Sequence, residues 1–172
     1  MANPEPVVRL FDKDAGGPDG RRKLDRIDRA ILHLLQADAR IANKEIARRV
    51  NLSPTPCLRR VRLLEEAGYI QRYKTVLDPN QLGYAIRAFL GIKRSRNSSR
   101  TSVADEVLKI PEVLACHVVS GEFDLLVEIV ARDMEHYSEI ALEHIAEMDS
   151  VLDLRSTFSI KTLKTDGPLP MC

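Results

Sequence analysis

The stretch whose reading decides the fold is SPTPCLRRVRLLEEAGYIQ, Ser53 to Gln71. Its hydrophobic spacing is helical from Thr55 to Glu66, yet Pro54 and Pro56 stand at its front, and a proline inside a helix costs about 3 kcal/mol. That cost disappears if Ser53 is the N-cap. Pro54 then occupies N1 and Pro56 N3, positions whose amides have no partner within the helix. The Cys57 N–H is the first that reaches the Ser53 carbonyl, and the Ser53 hydroxyl is expected to accept from Thr55 N–H. Gly68 suits a left-handed residue just past the helix end. Around this helix, Cys57, Leu58, Val61 and Leu64 share the arc expected to face a core. Thr55, Pro56, Arg59, Arg62 and Glu66 share the opposite arc, with Arg60 at the flank. Leu63 falls on the polar arc, and the pattern does not account for it.

Working upstream, Leu24 to Asp38 reads as a helix with Ile27, Ile31, Leu34 and Leu35 on one face and Asp25 and Asp28 favouring its N-terminus. Asn43 to Val50 is a shorter helix with Ile46, Ala47 and Val50 turned inward. Asn51-Leu52 is the turn into the Ser53 helix. Residues 1–23 are rich in Pro, Gly and charge and read as a flexible arm, with a short ordered piece at Val7–Phe11. Downstream, Ile70 to Leu77 alternates as an extended segment before the turn Asp78-Pro79-Asn80. Three helices followed by a strand make a winged helix-turn-helix pattern over 24–83.

Beyond Gly83 the periodicity changes. Strands are expected over Ala85–Lys93, Val113–Ser120 and Leu125–Ala131, with a helix from about Ser102 to Lys109 after the polar loop SRNSSR. Asp133 caps a second helix that buries Met134, Tyr137, Ile140, Ala141, Ile145 and Met148. Leu152, Leu154, Ser156, Phe158 and Ile160 then alternate with polar residues as a final strand. The order β-α-β-β-α-β is the split βαβ, ferredoxin-like arrangement over 84–164, followed by a tail over 165–172. Such a sheet carries helices on one face only, and self-association is the simplest cover for the other. The fold class is α+β in two domains.

Charge divides along the same boundary. Arg21 to Val76 holds 14 Lys and Arg against 6 Asp and Glu, whereas Pro79 to Cys172 holds 10 against 14. The first balance suits an anionic partner, nucleic acid or an anionic membrane surface. A stiff helix start carrying Thr55, with Arg59 and Arg62 one and two turns later, is what entry into the major groove of duplex DNA requires. Asn43, Lys44, Ser53, Pro56 and Arg60 complete the candidate DNA-contact set. No apolar run approaches the ~20 residues that span a bilayer, and no secretory signal opens the chain. Cytoplasmic, nucleoid-associated placement is expected. Three cysteines, Cys57, Cys116 and Cys172, lack metal-ligand spacing. Cys57 reads as a small buried hydrophobe. Cys116 and His117 lie on opposite faces of a strand, and His136 and His144 read as surface residues. No metal or cofactor is expected, and without a catalytic constellation neither is catalysis.

The run LDRIDRAILHLLQADARIANKEIARRVNLSPTPCLRRVRLLEEAGYIQRY, continued by VLACHVVSGEFDLLVEI, resembles the leucine-responsive/AsnC family of transcription regulators. The resemblance extends from Leu24 to about Lys164. Ala42 departs from it, standing where relatives often have a capping Ser. The resemblance implies a homodimer joined through its C-terminal sheets, often assembled into a tetramer of dimers, an octamer. Paired recognition helices would then read half-sites about 34 Å apart, or a multiple of that. It also implies a small amino-acid effector bound between subunits near the loop SGEFD, Ser120 to Asp124. The chemistry there is suitable: Gly121 permits a turn with exposed amides for a carboxylate, Ser120 adds a hydroxyl, and Asp124 offers charge to an ammonium. His117, Tyr137 and Thr157 are further candidates from neighbouring elements, and Glu122 is expected to be solvated. An architectural DNA-bridging protein without an effector is the competing reading. An enzyme with a sensing domain is a third.

Overall fold

The computed structural model describes residues 23–95 and 100–171 of the 172. The expected ordered piece at Val7–Phe11, most of the SRNSSR loop and Cys172 lie outside the described residues. The chain forms two units. One runs up to Thr75 and takes back the residues from Asp166 onward; the other is Val76–Thr165.

The first unit is built from α1 (Arg26–Ala37), α2 (Asn43–Arg49) and α3 (Pro54–Glu66). Asp25 caps α1 by accepting from Asp28 N–H at 2.7 Å, and the Asp28 carboxylate accepts in return from Asp25 N–H. This reciprocal box satisfies two donors that the helix itself leaves open. At α2 the N-cap is Ala42, which makes no side-chain bond to the helix start. Ser53 is the N-cap of α3 with Pro54 at N1, and the Ser53 carbonyl accepts from Cys57 N–H at 3.3 Å. The Ser53 hydroxyl, however, does not cap the helix, so the bond expected from Thr55 N–H is not made. Gly68 ends the helix at φ 74, with Gly68 N–H donating to Glu65 and Tyr69 N–H to Leu64, both at 3.0 Å. These two bonds form a Schellman motif.

Ile31, Leu32, Ile46, Ala47, Cys57 and Leu64 form the core of this unit, joined by the half-buried Val61. Leu58 is not part of it and stands 40% exposed. Leu63 is half-buried. The segment 70–78 forms no ladder with any described residue, so the expected strand is absent; Tyr73, Val76 and Leu77 are exposed along it. A strand needs a partner for its backbone groups, which residue alternation alone cannot supply.

In the second unit β1 (Ile86–Arg94), β2 (Val113–Val118), β3 (Leu125–Ala131) and β4 (Val151–Phe158) form one antiparallel sheet in the order β2-β3-β1-β4. Ala88, Leu90 and Ile92 of β1 and Leu125, Val127 and Ile129 of β3 are fully buried on one face. They pack with Val103 and Val107 of α4 (Arg100–Val107) and with Tyr137 of α5 (Met134–Ser138). α5 continues as a π-helical turn, Glu139–Ile145. This turn keeps Ile140, Ala141 and Ile145 on the buried side. Met134 lies outside the core at 57% exposure, and Ile160, beyond the end of β4, is fully exposed. His136 is buried, contrary to the surface position expected of it: its Nδ1 accepts from Arg132 N–H at 3.2 Å, and Nε2 lies 3.5 Å from Glu112.

Candidate nucleic-acid interface and effector loop

The exposed arc of α3 carries Thr55, Pro56, Arg59 and Arg62, all open to solvent. Among the described residues neither Arg59 nor Arg62 is held in an ion pair. With prolines at 54 and 56 and no cap from Ser53, the Thr55 amide joins its side chain as a group able to meet an anion. At the start of α2, Asn43 donates through Nδ2 to the Pro54 carbonyl at 2.8 Å, while Lys44 is exposed. Asn43 therefore ties the two helix starts together. In the same first turn Glu45 bonds both Arg48 and Arg49. Those bonds hold its carboxyl far down, at about 2.

Arg60 differs from its neighbours. Its guanidinium donates to Asp25 at 2.6 Å and to the fully buried Asp28 at 2.8 Å. The backbone N–H of Asp28, followed by this guanidinium, holds the Asp25 carboxyl below the usual range. Arg60 thus spends its charge joining α3 to the start of α1, and the flank position assigned to it as a DNA contact is occupied by an internal bridge. The sequence signal was present: Asp25 and Asp28 could be read as dipole partners only, because their third partner lies 32 residues away. Cys57 is fully buried, and burial pushes its thiol up.

The second candidate is the SGEFD loop. Ser120, Gly121 and Glu122 are exposed, and Gly121 has φ 123, a backbone that favours glycine. Asp124 accepts from Arg94 N–H at 3.0 Å and from the Arg94 guanidinium at 3.3 Å, while its own N–H donates to the Ile92 carbonyl. The carboxylate expected to offer charge to an ammonium is therefore pinned to the end of β1. Phe123 folds onto the sheet at Gly91, where a Cβ would lie 2.7 Å from the ring. The Arg155 guanidinium stands 5.7 Å over the same ring and pairs with Glu122 at 2.5 Å. Glu122, expected to be solvated, is exposed and makes its pair with Arg155 of β4 at the surface. Gly91 within β1 was the available clue, since an interior strand glycine often marks a close approach.

The remaining candidates do not converge on this loop. His117 and Thr157 lie on the open face, His117 opposite Leu126 and Thr157 opposite Phe89. Cys116, opposite the buried Val127, lies on the other face, as the strand alternation predicted. Tyr137 is buried beneath the helix-covered face, hydrogen-bonded to the Ser156 hydroxyl, its ring edge-on to Phe158 at 4.8 Å. The sheet separates it from His117 and Thr157. Among the described residues no His, Cys, Asp and Glu cluster has the arrangement of a metal site.

Residues 24–71 match the winged helix-turn-helix DNA-binding family and residues 87–169 the Lrp/AsnC ligand binding domain family. The leucine-responsive regulatory protein of Serratia marcescens is 39% identical over 157 residues, spanning 88% of this chain and 96% of that one. Its counterpart in Escherichia coli strain K12 is 39% identical over 150 residues, 86% and 92% of the two chains. Among solved structures, a transcriptional regulator of Neisseria meningitidis in complex with L-methionine superposes with a TM-score of 0.83 at 36% identity, covering 86% of this chain and 97% of that one. An AsnC family transcriptional regulator of Agrobacterium tumefaciens gives 0.78 at 33%, with coverage of 86% and 97%. With both domains matched in order, and full-length relatives aligned from the basic helical unit through the sheet unit, this chain belongs to the Lrp/AsnC family of transcription regulators.

Proposed function

We propose that this chain is a sequence-specific regulator that reads duplex DNA with α3 and changes its DNA affinity or assembly when a small amino acid binds at the SGEFD loop. The observation that carries the DNA half is the exposed row Thr55, Arg59 and Arg62 behind a proline-stiffened start. Thr55 meets base edges, the two arginines meet guanine or phosphate, and Lys44 adds a backbone contact. Arg60 serves as a brace, and Asn43 aligns α2 with α3. Ser120 and the Gly121 turn receive the effector carboxylate, and Asp124, already oriented by Arg94, faces the ammonium. His117 and Thr157 stand away from this loop on the open sheet face, the face of the proposed dimer contact, while Tyr137 supports Ser156 from beneath. The assembly is a homodimer through the sheets, extended to a tetramer of dimers, acting on the nucleoid in the cytoplasm of a prokaryote without catalysis.

Mobility shifts with the Arg59→Ala/Arg62→Ala double variant test the reading. Affinity for duplex DNA should fall by at least about tenfold, with a shallower salt dependence; unchanged binding would remove the role of α3. Thermal melts with each of the twenty amino acids separate a regulator from an architectural protein, since only a specific ligand raises the midpoint. No shift with any of them would favour the architectural reading. Asp124→Asn keeps an acceptor for Arg94 N–H but loses the charge. Calorimetric affinity for the stabilising amino acid should drop by more than about tenfold, and an unchanged value would clear Asp124 of that contact.

A further inference from the structure

The residues from Asp166 to Met171 follow the sheet unit in sequence but pack with the first unit. Leu169 is fastened to Gln36 of α1 by two hydrogen bonds. Leu169 N–H donates to Gln36 Oε1 at 2.7 Å, and Gln36 Nε2 donates to the Leu169 carbonyl at 3.3 Å. Met171, two residues on, packs against the core of α1–α3. The sequence around Leu169 is built for such a grip. Pro168 and Pro170 have no N–H, so Leu169 carries the one backbone donor of the three, and Gln36 takes it. The prolines also hold the segment extended, which lowers the entropy lost on docking. Asp166 at φ 48, followed by Gly167, turns the chain into it.

At its other end the segment is continuous with β4. That strand carries Arg155, which is paired to Glu122 in the SGEFD loop, and only residues 159–165 separate the end of β4 from the docked segment. We propose that 166–171 is a strap that couples the SGEFD loop to the DNA-reading unit: a change at the Glu122–Arg155 contact moves β4, and the docked strap passes that movement to α1. The inference rests on the function proposed above. Its fastening bonds are exposed and individually weak, which suits a device that must reset, and couplings of this kind change affinity by about 5–150-fold.

The test compares the full chain with Gln36→Ala, an exposed residue outside the reading helix, and with Met171→Ser. Duplex affinity is measured with and without each of the twenty amino acids in turn. The unaltered chain should respond to at least one. Both variants should bind DNA and that amino acid with unchanged affinities when each is measured alone, while the ratio between the two conditions falls toward one. Met171→Leu should restore the ratio. Hydrogen exchange should find the Leu169 amide protected in the full chain and unprotected in Gln36→Ala. If no amino acid alters DNA binding by the unaltered chain, the proposed function fails and the strap fails with it. If the unaltered chain responds and both variants respond equally, or if the Leu169 amide exchanges freely in it, only the strap is overturned.

Discussion

Arg60 and Arg62 lie two positions apart on one helix and differ in what surrounds them. Arg62 is exposed, whereas Arg60 meets Asp25 and a wholly buried Asp28. Removing the guanidinium takes from the buried Asp28 carboxylate the charge that stands 2.8 Å away. Arg60→Met should therefore destabilise the first unit by about 3 kcal/mol, read as a lower urea midpoint at constant slope. Adding Asp28→Asn should recover part of that loss, because the two residues act as one unit. Equal losses in the single and double variants would assign the effect to the lost packing of Arg60 and not to the buried Asp28 charge. Glu45 gives a pH signature. Its carboxyl is lowered from 4.5 to about 2 by Arg48 and Arg49, so its stabilising contribution is complete above 4.5 and is lost as pH falls through about 2. The gap in urea midpoint between the parent and Glu45→Gln should accordingly close as pH drops across that interval. A gap independent of pH would assign the effect to packing.

Among the elements, α3 and the SGEFD loop show how far local sequence reaches. The start of α3 at Ser53–Pro54 and its end at Gly68 follow from amide bookkeeping and backbone freedom, and both are found where the residues placed them. The Ser53 hydroxyl and Leu58 were misjudged, because a helical wheel assigns a direction but not the extent of the neighbour that fills it. For the loop, residue chemistry pointed to Ser120, Gly121 and Asp124, yet Arg94, Arg155 and Phe123 shape it from other strands. Gly91→Ala tests that shape. Its Cβ would sit 2.7–2.8 Å from three ring carbons of Phe123. The ring must leave, at a cost of about 1–3 kcal/mol. Tryptic cleavage after Arg155 should speed up as the loop lifts, and an unaltered cleavage rate would mean that the ring is not seated on the sheet. Met134 and His136 lie in the first turn of α5, where a helical period gives a direction but not which of two adjacent directions the sheet covers, and there the sheet side takes His136 and leaves Met134 exposed.

At the scale of the molecule, the basic and acidic halves correspond to separate units, so charge and fold are divided together. The open face of the sheet carries Leu126 at 37% exposure beside the half-buried Phe89, with the Arg87–Glu128 pair across the same strands. As the proposed dimer face it should be sensitive to charge. Leu126→Asp should shift sedimentation toward the monomer at unchanged helix content, whereas full retention of the assembly would place the dimer contact elsewhere. By itself the sequence determined the two-unit α+β plan, the βαββαβ order, the start and end of α3 and the basic bias of the first unit. Those properties come from period, capping and charge, which act over a few residues. Tertiary structure alone decided that Arg60 is a brace, that Asp124 is pinned by Arg94, that Phe123 covers Gly91 and that the residues after Asp166 return to α1. Each of these joins groups some 30 or more residues apart, and local pattern holds no information about which distant partner a side chain meets.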